Sequence, residues 1–190
     1  MDEPVTQLSE TVTISVERMM RFCYLAKIMS ESAPYKTIVL TTYLTRFGTM
    51  LFETASFLYS LFEDNSNSIN LSKIWGDFDH PFNEELREFE TKLQPFKEEL
   101  RLVRNSVGFH GSLSRSRENA GLGIFDVKSP RGREFSKIIY VMQKLALKMI
   151  EWYIKDMDEA ERPRELWQEF VIELQGQSAK LPKPLHPRVA

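Results

Sequence analysis

Between Leu86 and Val107 the apolar residues Leu86, Phe89, Leu93, Phe96, Leu100, Val103 and Val107 return at alternating steps of three and four. That spacing paints one face of an α-helix and cannot line one face of a strand, whose side chains alternate every second residue. Pro95 lies inside the repeat, where it removes a backbone donor, so the spacing predicts a kink or two stacked pieces. Val12, Val16, Met19, Met20, Cys23, Ala26 and Met29 show the same periodicity and predict a helix over roughly Thr11 to Ser30. Pro34 reads as a break and restart. From about Tyr35 to Glu63, apolar residues from Ile38 to Phe62 predict the longest helix, apolar on more than one stripe.

Ser129 followed by Pro130 has the chemistry of an N-cap and first helical position. The residues after it, Phe135, Ile138, Ile139, Met142, Leu145, Ala146, Met149, Ile150 and Tyr153, predict another long helix, and 163–174 a shorter one. The segment DNSNSIN (64–70) and the glycine-containing region from Gly108 to Pro130 read as loops. No useful strand-like alternation and no internal repeat occurs. The expectation is an all-α fold: an up-and-down bundle of four long helices with one or two short ones. A single helical domain over 1–175 and a flexible proline-rich tail over 176–190 complete it.

Composition narrows the class. A chain of 190 residues, 42% hydrophobic and 27% charged, has enough apolar side chain for one folded domain. Lys36, Arg46, Glu53 and Glu63 interrupt the most hydrophobic region, so no membrane span is expected. The acidic start MDEP has no apolar signal core behind it, and the lone Cys23 lies in an apolar pattern as core filler. Both fit a cytoplasmic protein.

Charge is segregated along the chain. Residues 1–100 carry 9 basic and 16 acidic side chains, whereas 101–137 carry 8 basic and 3 acidic. A basic segment in an otherwise acidic protein points to a local anion site, phosphate above all. It opens with RLVRNSVGFHGS, which contains Arg101, Arg104, Asn105 and His110. On a straight helix, residues six apart are rotated by about 120° and separated by ~9 Å in height. Gly108 can take the left-handed conformation that ends a helix and turns the chain back, which would bring His110 toward Arg104.

An arginine beside a histidine suits RNA phosphodiester chemistry. The guanidinium can hold two phosphate oxygens, and an imidazole can move the proton when the 2′-hydroxyl attacks phosphorus. The segment RNSVGFH resembles the signature of the HEPN superfamily, an arginine and a polar residue followed by a histidine near the end of a helix. The likeness is greatest to the abortive-infection type. The resemblance implies a homodimeric helical bundle in which two copies of the motif form a metal-independent endoribonuclease with no cofactor. By that resemblance Arg104 and His110 are catalytic, Asn105 orients, and the setting is phage defence or a toxin paired with an antitoxin or other regulatory protein. A two-fold axis has its own rationale: transesterification uses both a proton acceptor and a donor, and this segment holds one histidine.

Arg101, Arg115, Arg117, Lys128, Arg131 and Arg133 are the candidates to track the RNA backbone. A different class of reading is a non-catalytic helical module that binds a protein partner or nucleotide, the motif serving as an anion clamp. Asp77, Asp79 and His80 hold potential metal ligands close together, but Pro81 beside them favours turn and capping chemistry. His186, among prolines, reads as solvated. No GxxxxGKS loop or dinucleotide fingerprint is present.

Overall fold

The computed structural model describes residues 3–32, 53–64, 70–104, 124, 129–157, 163–169 and 171–172. Among these the fold is all-α with no strand, as the periodicities require. The helices are α1 (Glu3–Ser32), α2 (53–61), α3 (Leu71–Gly76), α4 (Asn83–Leu93), α5 (Lys97–Leu102), α6 (Pro130–Asp156) and α7 (163–169). No helix among the described residues is long and apolar enough to cross a membrane.

Two described helices are long, α1 with 30 residues and α6 with 27. They pack against each other along the apolar faces read from sequence: Val12, Val16, Met19, Cys23 and Ala26 from α1, and Phe135, Ile139, Met142, Ala146, Met149 and Tyr153 from α6, all buried. The thiol of Cys23 lies 3.8 Å from the carbonyl of Gln143, and burial pushes its pKa up to about 12, so it is core filler and no nucleophile. Of the helix expected over 35–63, residues 53–61 form α2, and 35–52 lie outside the described residues. Of the expected loop from Gly108 to Pro130, residues 108–123 and 125–128 lie outside them, as does the expected tail 176–190.

The third expected helix is split at its proline. Pro95 cannot donate to the carbonyl one turn back, so the chain tightens into a 3₁₀ turn at Gln94–Phe96 between α4 and α5. Its apolar stripe survives the break: Leu86, Phe89, Leu93, Phe96, Leu100 and Val103 are all buried. Phe62 meets Phe89, and Phe96 meets Phe135, with ring centroids 5.2 and 5.5 Å apart. Ser129 caps α6, its hydroxyl accepting from the Gly132 amide at 2.9 Å with Pro130 in the first turn.

The short helix α3 was not legible as a helix. Asn70 caps it by accepting from the Lys73 amide at 3.2 Å, and it delivers Trp75 to the core with no exposed surface. Trp75 donates its indole N–H to Ser15 at 2.9 Å, and Ser15 in turn donates to the Val12 carbonyl at 2.7 Å. Around the indole stand Phe78, His80, Phe82, Trp152 and Tyr153, with centroids 5.0 to 6.5 Å away.

Candidate functional site: an arginine cluster at the end of α5

Arg104 stands where α5 gives way to a wider π turn at Val103 and Arg104. Such local departures from α geometry re-aim side chains and recur at functional sites. Val103 is fully buried and anchors the turn, while the Arg104 side chain keeps 32% of its surface exposed. Arg104 donates through Nη1 to Glu63, just beyond α2, and its guanidinium lies 5.7 Å from the centre of the Tyr59 ring. Among the described residues the Glu63 carboxylate engages Nη1 and no other hydrogen bond to the Arg104 guanidinium is made.

Glu63 is itself positioned from α3. Asn70, the buried cap of that helix, donates from Nδ2 to the Glu63 carbonyl at 3.3 Å. The Tyr59 hydroxyl has its pKa raised by burial first and by the Glu63 charge second. It therefore stays a neutral phenol at physiological pH, able to donate a hydrogen bond.

A second arginine approaches from α1. Arg18 donates to Ser60 at 2.7 Å and lies 5.6 Å from the Phe57 ring centre, and Arg21 sits 5.8 Å from the same ring. Partial burial lowers the pKa of Arg18, the charges of Arg104 and Arg21 push the same way, and Glu63 opposes them. Periodicity placed Arg18 and Arg21 on an apolar helix without marking them as functional. Their three-residue separation within that helix was the available signal.

The remaining sequence candidates are placed as follows. Asn105, His110, Arg115, Arg117 and Lys128 lie outside the described residues. Arg101 is exposed and paired with Glu98 at 2.6 Å within α5. That hydrogen-bonded pair raises the arginine pKa and holds the carboxyl of Glu98 below its usual range. Arg133 is exposed on the first turns of α6. Arg131 has a different setting. It donates to Glu99 at 2.8 and 3.0 Å and to the Pro95 carbonyl, and stacks 4.0 Å from the Phe96 ring centre. Its guanidinium ties α6 to the proline turn, which makes it a structural clamp.

His80 is used for architecture, in line with the turn reading. Its Nδ1 accepts from the Phe82 amide at 2.9 Å, so Nε2 carries the proton and donates to the Trp75 carbonyl at 2.7 Å. Both nitrogens are committed to backbone, and burial lowers the imidazole pKa. Among the described residues no group of three histidine, cysteine or carboxylate side chains is placed to hold a metal ion. In comparisons with known proteins, no protein family, no curated protein and no solved structure matches the chain.

Proposed function

We propose that the chain is a metal-independent endoribonuclease of the HEPN type, acting as a homodimer on RNA in phage defence or as the toxin of a toxin-antitoxin pair. Placement of Arg104 carries the reading. The motif arginine lies at a π turn, partly exposed, with Glu63 orienting its guanidinium and no other hydrogen bond to it among the described residues. In this reading the 2′-hydroxyl attacks the adjacent phosphorus and the P–O5′ bond breaks. Arg104 offsets the charge on the non-bridging oxygens, His110 moves the proton, and Asn105 orients. Two copies of the motif across a two-fold axis supply the acceptor and the donor. Arg101 and Arg133 are the described basic side chains on exposed surface that extend the positive field. Arg115 and Arg117 are its other proposed members.

The Arg104–Glu63 pair also fits the non-catalytic module, because an arginine held by a carboxylate is a common structural arrangement. Cleavage of single-stranded RNA by purified protein separates the two. Under the nuclease reading, Arg104→Ala and His110→Ala each slow cleavage by about 10²- to 10⁴-fold. The DNA of the same sequence resists and a chelator has no effect. Undiminished cleavage by His110→Ala would remove the assignment, and strong inhibition by chelator would point to metal-assisted hydrolysis instead.

A further inference from the structure

A cleft of about 490 Å³ lies between α1 and α7, within the range of small-molecule sites. Arg104 does not line it, although the Arg104 charge reaches Arg18. Its position is set by Arg164, which donates at 2.8 Å to each of the Ile154 and Met157 carbonyls, capping α6 and directing the chain into α7. Leu166 and Trp167 then pack against the core.

One wall is apolar and aromatic: Ile14, Met20 and Tyr24 of α1 face Leu166 of α7. The same α1 surface contributes Arg18 and Arg21, whose guanidiniums share the Phe57 ring. The Nε of Arg18 is buried and has no hydrogen-bond partner among the described residues. An orphaned, desolvated guanidinium N–H costs free energy, and here it stands beside two further arginines with Glu63 as the opposing charge. An anion in the cleft that accepts from Arg18 and Arg21 offsets their mutual repulsion. Glu17 and Glu169 also line the cleft, placing carboxylate acceptors where a ligand body can offer hydroxyl or amino hydrogens.

We infer that this cleft binds an organic phosphate monoester, its phosphate on Arg18 and Arg21 and its planar or apolar body against Met20, Tyr24 and Leu166. Two guanidiniums side by side match the dianionic monoester better than the singly charged diester of an RNA backbone. The ligand is either a small molecule or the phosphorylated 5′ end of an RNA; the chemistry at the arginines is the same. The site holds whether or not Arg104 and His110 cut RNA.

Calorimetric titration of the intact chain tests this with adenosine 5′-monophosphate and phenyl phosphate, against adenosine and inorganic phosphate as half-ligands. Both monoesters should bind at least about tenfold more tightly than either half-ligand. Arg21→Gln, at an exposed position that leaves the core intact, should weaken them by about tenfold or more, with an unchanged melting temperature for the free protein. Arg18→Met should do the same. A 2′-O-methyl RNA tetramer carrying a 5′-phosphate, compared with its 5′-hydroxyl form, identifies the source. Preference for the phosphorylated tetramer over the small monoesters assigns an RNA end, and the reverse assigns a small metabolite. Monoester binding that is absent, or indifferent to Arg21→Gln in a folded variant, overturns the inference.

Discussion

Two successive turns of α1 treat polar side chains in opposite ways. Thr13 and Ser15 meet Tyr153 and Trp75 through hydrogen bonds of 3.1 and 2.9 Å, inside an aromatic cluster whose His80 has both ring nitrogens engaged. One turn later, Arg18 and Arg21 crowd one phenylalanine ring, and a buried N–H of Arg18 has no partner among the described residues. The first arrangement lowers the free energy of the folded chain by satisfying what it buries. The second leaves one buried donor without a partner among the described residues and sets two cations against one ring, a pattern that stability alone does not favour.

Substitutions in the two regions should therefore separate stability from binding. The largest loss is expected for Trp75→Ala, which empties a fully buried indole site: about 3–5 kcal/mol in denaturant unfolding, with an unchanged m-value. A loss under ~1 kcal/mol would mean that the cluster repacks and the contrast fails. Next comes Arg131→Ala, which removes the clamp on Glu99, the Pro95 carbonyl and Phe96 and should cost about 1–2 kcal/mol. If RNA binding falls instead while stability holds, Arg131 belongs with the substrate contacts proposed from sequence.

Arg104→Ala should change stability by less than about 1 kcal/mol, because its pair with Glu63 is partly exposed, and under the nuclease proposal it should slow RNA cleavage by about 10²- to 10⁴-fold. Arg18→Met is expected to be neutral or slightly stabilising in the ligand-free protein, since it removes an orphaned donor and two repulsions. A marked destabilisation by Arg18→Met would show that its bond to Ser60 outweighs both.

Acid offers a further discrimination, confined to the aromatic region. His80 is buried neutral with its pKa below 6.5, so below that value the unfolded chain binds the extra proton first. The His80 contribution is complete above pH 6.5 and is lost as the pH falls from there through the lowered folded value. Unfolding curves should show this loss in the parent and lack it in His80→Gln; the same slope in both would exonerate His80.

Much of the architecture was legible because it follows from periodicity. Each described side chain that the three-and-four spacing marks in α1, α6 and the α4–α5 stripe is buried, and Pro95 breaks its helix for a reason visible in one residue type. Ser129 and Pro130 announced the start of α6 through local hydrogen-bond chemistry. What escaped was the short α3. Six residues carry too little periodicity to register, and its existence depends on the side chain of Asn70 and on a pocket for Trp75 made by other helices. At the candidate site the same limit applies. Arg104 was visible from its neighbours in sequence, whereas Glu63, Tyr59 and Arg18 join it from two other elements.

The amino-acid order alone determined that this chain is helical, which faces are buried and where the proline interrupts, because each depends on residues within a turn or two of one another. Tertiary packing alone decided that Arg131 clamps a proline turn, that His80 remains neutral, and that the arginines of α1 gather beside Arg104. Those outcomes depend on groups up to 86 residues apart, as Arg18 and Arg104 are, and a local pattern carries no record of which distant charge or ring will stand next to it.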